Sequence, residues 1–298
     1  MILEQVFRQV KPESEFLKIL DLCGAPGGKS THLSTLTGEK GLIVSNEVIR
    51  SRADILIENI TRWGIPNVIV TRSDPSSFGR LPGFFDIILA DAPCSGEGMF
   101  RNLTARNEWS EGNAAMCSVR QKRILMDVWP ALKENGILIY STCTFNPAEN
   151  EENIIWLSEK ARTESVKMDL SGFNGITEID HKGIYGYGFY PGNIRGEGFF
   201  ISVLRKKEKL SGKSQNVKAD GSAGISRNEL IIASALFDTV TDRLLKYNDE
   251  IIALPCTYND YRRISDVLRI VKAGTRLFKM KNIPGGHNPV PLHDLVLS

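Results

Sequence analysis

Short, almost wholly apolar runs alternate with segments of helical period through the first two thirds of the chain. Residues 19–22, 42–46, 67–71, 86–90 and 137–141 are apolar nearly throughout, the pattern of strands covered on both faces of a parallel sheet. Between them, 28–36, 48–63, 114–133 and 147–161 read as helices. Strands alternating with helices predict βαβ units and an α/β fold. Residues 199–204 predict a late edge strand, after a Gly- and Tyr-rich loop over 184–198.

The pattern then changes. Residues 205–228 carry seven Lys or Arg against Glu208 and Asp220, with Ser, Gly and Asn and almost no large apolar side chain, which predicts a flexible basic linker. Periodicity resumes near Glu229 with Leu230, Ile231 and Leu236, and strand-like runs follow at 250–254 and 270–280. The expected division is a domain over 1–205, a linker over 206–227 and a second, smaller α+β unit over 228–298, which is small for a core of its own.

Composition narrows the class. The chain has 298 residues, of which 42% are hydrophobic and 24% charged, enough for one large domain or two small ones. No apolar stretch approaches the roughly 20 residues of a membrane span. Glu4, Arg8, Lys11, Glu13, Glu15 and Lys18 interrupt the first turns, so no signal peptide is expected there. Five cysteines without a CxxC argue against a disulfide framework or a metal site, and for a reduced, cytoplasmic setting. The net charge of +2 decides little, but it hides the basic excess at 205–228.

In open α/β sheets ligands bind beyond the carboxyl ends of the strands. The first predicted strand runs into Asp21-Leu22-Cys23-Gly24-Ala25-Pro26-Gly27-Gly28-Lys29-Ser30, a Gly-rich turn opening a helix. It ends like a phosphate-binding P-loop, but that motif needs Gly where Cys23 stands, and Pro26 removes a backbone donor. Glu47 follows the second strand at a spacing suited to ribose hydroxyls, or to a helix cap. Asp74 follows the third, placed for an adenine amino group or for a turn before Pro75. Asp91-Ala92-Pro93-Cys94 follows the fourth, and Tyr140-Ser141-Thr142-Cys143 the fifth. If these two strands are neighbours, both thiols project into one crevice. Cys117 and Cys256 read instead as small buried hydrophobes. Asn146-Pro147-Ala148-Glu149 reads as a helix start whose positive end lies near Cys143.

The blocks DLCGAPGGKS, DAPCSGEGMF and YSTCTFNPAENE resemble the signature segments of RNA cytosine-5 methyltransferases of the Nol/Nop/Sun family, with bacterial RsmF-type ribosomal RNA enzymes the nearest likeness. The likeness covers 19–204 well and the second unit weakly. It implies a Rossmann-like sheet with S-adenosyl-L-methionine as methyl donor, held by Cys23, Gly24, Ala25, Pro26, Gly27, Gly28 and Lys29, with Glu47, Asp74 and Asp91. It makes Cys143 the nucleophile, Cys94 the partner that helps release product, and Asp91 a donor or acceptor at ring nitrogen 3 of the base. A thiolate adding at carbon 6 of cytosine makes carbon 5 nucleophilic, which explains why the chemistry needs free thiols. The target base must leave its stack, and Phe100, Arg101, Arg106, Trp109 and Arg195 are candidate RNA contacts. The implied protein is a monomer in the cytoplasm that modifies small-subunit ribosomal RNA, with transfer RNA as the alternative. Relatives carry a segment before the first block and run on after the second unit, so this chain reads as shortened at both ends. An RNA-binding module without catalysis, or a P-loop nucleotidase, are the competing classes. Binding of S-adenosylmethionine or of ATP separates the three.

Overall fold

The computed structural model describes residues 2–209, 224–236, 243–283 and 286–291. In chain order its first elements are α1 (Ile2–Val10), β1 (Leu17–Asp21), α2 (Gly28–Thr37), β2 (Gly41–Asn46), α3 (Arg50–Trp63), β3 (Val68–Thr71), β4 (Phe85–Asp91), α4 (Leu103–Glu108), α5 (Glu111–Val128) and β5 (Leu132–Thr142). There follow α6 (Glu151–Lys160), β6 (Thr163–Ser165), β7 (Ile176–His181), β8 (Ile184–Phe189) and β9 (Phe199–Lys206). The last are α7 (Arg227–Leu236), β10 (Leu244–Tyr247), β11 (Glu250–Ala253), α8 (Tyr258–Ser265), β12 (Ile270–Ala273), β13 (Thr275–Ile283) and β14 (Gly286–Pro291). The chain divides into two compact units that interleave in sequence: Met1–Gly24 with Asp74–Lys213, and Ala25–Ser73 with Ser214–Ser298.

In the first unit β1, β4 and β5 are parallel neighbours, and β9, β8 and β7 extend the sheet antiparallel, with β6 also on β9. Every residue of β4 up to Ala90 is buried, Asp86 included, as its nearly continuous apolar run requires. The β4–β5 register sets Asp91 opposite Ser141, so the two strands end together and deliver their following loops to the same edge. The expectation of an edge strand at 199–204 is corrected: β9 lies between β5 and β8. The reason is a hairpin over 176–189, turned at Lys182 and Gly183, both at positive φ, which places a further strand where a loop was expected. The helix expected over 114–133 stops at Val128, because Pro130 cannot continue it, and β5 starts at Leu132.

In the second unit β2 and β3 are parallel and β12 pairs antiparallel with β3. A separate antiparallel sheet has the order β10-β11-β13-β14. The single run expected over 270–280 is two strands. They part at Gly274, whose φ is +65° and where a Cβ would stand 2.2 Å from the Ala253 carbonyl oxygen, so only glycine makes the bend. The four-stranded sheet packs on α7 around Ala233, Leu244, Ile251, Leu277 and Phe278. Residues 210–223 of the expected linker lie outside the described residues. Among the described residues, no helix is long and apolar enough to cross a membrane, and no cluster of three His, Cys, Asp or Glu is grouped to hold a metal ion.

Candidate active site

The first unit brings the two loop cysteines into contact. The Sγ atoms of Cys94 and Cys143 lie 2.9 Å apart without a disulfide, and the Cys143 backbone N–H points at Cys94 Sγ at 3.3 Å. The sulfur contact with Cys143, followed by burial, pushes the Cys94 thiol far above the ordinary range. Cys94 therefore holds its proton more tightly than an ordinary thiol, and the contact lets either thiol donate to the other. Asp91 ends β4 beside them, its Oδ1 accepting the Ser141 hydroxyl at 2.6 Å. Cys117 and Cys256 are buried as expected.

Two buried carboxylates hold the loops together. Glu149 is fully buried. Its Oε2 accepts the Ser95 N–H at 2.9 Å and Gln121 Nε2 at 3.0 Å, and its Oε1 meets the Ser95 hydroxyl at 2.5 Å. Glu97 accepts Thr144 Oγ1 at 3.1 Å and Trp109 Nε1 at 3.1 Å. The Ser95 and Thr144 hydroxyls are themselves 3.2 Å apart. A chain of contacts thus runs Glu149–Ser95–Thr144–Glu97, through the residues that follow Cys94 and Cys143. With both carboxylates ionised, two hydroxyl protons would have to serve three contacts. One proton on Glu149 completes the chain, and burial raises the Glu149 carboxyl in that direction.

Backbone closes the same arrangement. The Gly98 N–H donates to the Cys143 carbonyl at 2.9 Å, and the Gly198 N–H donates to the Gly98 carbonyl at 2.8 Å. A Cβ on Gly98 would fall 2.4 Å from the Gly198 oxygen and 2.6 Å from the Cys143 oxygen, so three loops cross where only glycine fits. The helix start expected at Asn146 is corrected. Residues 147–150 form a turn, Asn146 Oδ1 accepts the Ala148 N–H, and α6 begins at Glu151. Glu149 is the cause, since its side chain turns inward to Ser95 and Gln121 rather than back toward Asn146. The helix end therefore starts eight positions after Cys143.

In the second unit, Ala25–Pro26 is a cis peptide, and Arg52 and Asn59 of α3 donate to the carbonyls of Ala25 (3.1 Å) and Pro26 (2.7 Å). Gly28 is exposed with open space where a Cβ would stand. Glu47 is buried. Its Oε1 accepts the Ile49 N–H at 3.0 Å, while Oε2, 3.4 Å from the Arg52 guanidinium, accepts no hydrogen bond. That acceptor and that open glycine face suit a ribose and a ligand backbone, the chemistry a nucleoside cofactor asks for. Asn46 ties β2 to the end of β3, bonding the Thr71 hydroxyl and both the N–H and C=O of Ser73.

The remaining sequence candidates fall on the surface of the first unit. Asp74 is half exposed. Ser76 donates its N–H and hydroxyl to Oδ1, which with Arg123 at 3.6 Å holds the carboxyl below its usual value. Arg101 donates to the Arg195 carbonyl at 3.4 Å, and Arg106 is exposed on α4. Phe100 meets Trp109 edge-on, ring centroids 6.0 Å apart. Sequence reasoning missed Ser95, Glu97, Gln121 and Asn153. A signal was there: Ser118 and Gln121 interrupt the buried stripe of α5 (Ala114, Cys117, Ile124, Leu125, Val128), and a polar residue on a core face needs a buried partner.

A ribosomal RNA small subunit methyltransferase F from Psychromonas ingrahamii is 38% identical over 190 residues, covering 63% of this chain and 40% of that protein. A tRNA (cytosine(49)-C(5))-methyltransferase from Pyrococcus abyssi is 37% identical over 196 residues, 63% of each. The crystal structure of NSun6 from Pyrococcus horikoshii with SFG superposes with a TM-score of 0.58 at 28% identity, covering 69% of this chain and 51% of that one. The chain thus spans about 40 to 63% of the curated relatives it matches. Residues 8–205 match the sequence family described as 16S rRNA methyltransferase RsmB/F, and the chain belongs to that family.

Proposed function

We propose that this protein transfers a methyl group to carbon 5 of a cytosine in RNA, through a covalent bond between Cys143 and carbon 6 of the base. The observation that carries the reading is the pair of thiols in contact at the common end of β4 and β5. When bound, S-adenosylmethionine supplies the electrophilic methyl group. Its proposed holders are Cys23, Gly24, Ala25, Pro26, Gly27, Gly28 and Lys29, with Glu47 taking ribose hydroxyls, Asp74 near the adenine, and Asp91. Glu47 Oε2, which accepts no hydrogen bond among the described residues although it pairs in charge with Arg52, and the open face of Gly28 favour that assignment.

The thiolate of Cys143 adds to carbon 6, which makes carbon 5 enamine-like. Asp91, oriented by Ser141 and carrying or sharing a proton, donates it to ring nitrogen 3 and so stabilises the negative charge that develops there as Cys143 adds. Once the Cys143 sulfur is bonded to carbon, the contact that most strongly raises Cys94 is gone. Cys94 then ionises more easily, which suits it to take the carbon 5 proton as the Cys143–carbon 6 bond breaks. Arg101, Arg106 and Arg195 are proposed to meet RNA phosphates. Five cysteines without a disulfide fit a reducing, cytoplasmic setting, and a monomer suffices for all these roles.

Small-subunit ribosomal RNA is the proposed substrate, following the family. The second reading, transfer RNA, is favoured by the larger share of the Pyrococcus abyssi relative that this chain covers. Methyl-labelled S-adenosylmethionine with ribosomal or transfer RNA transcripts, followed by nucleoside mass spectrometry, tests both. Labelled 5-methylcytidine in ribosomal RNA alone is expected. Label in transfer RNA alone selects the second reading, and label in neither overturns the function.

A further inference from the structure

The segment around the proposed nucleophile alternates in and out. Thr142 and Thr144 are buried and bonded inward, to Asn150 and Glu97, while Cys143 and Phe145 face outward. Cys143, half-buried, and the exposed Phe145 stand two positions apart just past the end of β5. Phe145 is 36% exposed. Its ring is nonetheless fixed. Tyr190 lies against it with centroids 6.2 Å apart, tilted by 50°, and a Cβ at Gly198 would stand 3.1 Å from the ring. Covering Gly198 alone would need only an aliphatic side chain. The loop that carries Tyr190 and Gly198 also carries the exposed Arg195, whose backbone carbonyl accepts the exposed Arg101 side chain, against one exposed carboxylate in that loop, Glu197.

We propose that Phe145, braced by Tyr190, is a stacking platform for an unpaired RNA base next to the cytosine presented to Cys143, with Arg101 and Arg195 on the flanking phosphates. The inference rests on the RNA methyltransferase reading and adds to it how the strand is held once the target base has left its stack. A rigid π-face accepts any base, and the paired arginines match the backbone charge.

The test uses a short single-stranded RNA with one cytosine beside 2-aminopurine, labelled for anisotropy. Phe145→Leu keeps an apolar cover and removes the π-face. It should weaken binding about tenfold and abolish 2-aminopurine quenching, with the melting temperature unchanged. Phe145→Tyr should restore both. If Phe145→Leu binds and quenches like the parent, or Phe145→Tyr fails to rescue, the platform is wrong while the methyltransferase reading stands. If the parent protein neither binds nor methylates any RNA, the functional reading itself falls and takes the platform with it.

Discussion

The turn at Asp74 and the loops after β4 and β5 look alike in sequence and differ in structure. The turn after β3 places Asp74 against Ser76, two positions away, and against an exposed arginine. The loops after β4 and β5 place Glu149 against Ser95 and Gln121, at separations of 54 and 28 residues, and carry two thiols in contact. The first is a local cap that any surface turn uses. The second is long-range, buried and shared between loops. A carboxylate near a strand end is therefore not informative by position. The residues it bonds, and how far off in sequence they lie, separate a turn from a site.

Glu149 should break that contrast most strongly. Glu149→Ala leaves the Ser95 N–H and Gln121 without their buried acceptor, and the Ser95 hydroxyl without its partner, and should cost about 2–4 kcal/mol in denaturant unfolding. Glu149→Gln keeps the shape and can donate to Ser95 as the protonated acid does, so it should stay within about 1 kcal/mol of the parent. The pH dependence follows from the raised carboxyl. A group that holds its proton more tightly when folded adds stability that is full below the ordinary glutamate range and is lost as pH rises through the raised value. Stability should fall across that window in the parent and stay flat in Glu149→Gln. An equally sloped curve in both would remove the proton from the chain of contacts.

Gly198→Ala comes next. Its Cβ would lie 2.5 Å from Gly98 Cα, so a loop must shift, and the Cys143 carbonyl that Gly98 holds shifts with it. A cost of about 1–3 kcal/mol and a loss of methyl transfer on the order of tenfold or more are expected from stability and rate measurements. The smallest effect belongs to Asp74→Ala, about 1 kcal/mol of lost capping by thermal unfolding. Because Asp74 is also proposed to lie near the adenine, a loss of S-adenosylmethionine affinity beyond that of stability is expected there, and equal losses would leave Asp74 as a turn alone.

Most of the sheet was legible because its strands are buried on both faces and so are unbroken apolar runs. The hairpin over 176–189 was not, because β7 alternates exposed charge with half-buried Ile and so carries no such run. The run over 270–280 read as one strand until the Ala253 carbonyl came within reach of the missing side chain of Gly274. Cys94, Cys143 and Asp91 were legible as residues at strand ends, and the β4–β5 register brings them together as the pattern implied. Glu97, Gln121 and Ser95 were not, because a hydrogen bond between distant loops leaves no periodic trace. The role of Glu149 was misread for the same reason. Its spacing from Asn146 satisfies a helix start, and only the third dimension offers it Ser95 and Gln121 instead.

The central claim is that Cys143 bonds the base and Cys94 releases it. The most direct measurement is a denaturing gel of Cys94→Ala incubated with labelled ribosomal RNA and S-adenosylmethionine. A labelled RNA band travelling with the protein is predicted, and it should vanish in the Cys94→Ala/Cys143→Ala double variant. An adduct that persists without Cys143, or methyl transfer by Cys143→Ala at the parent rate with no adduct in any variant, would contradict the account.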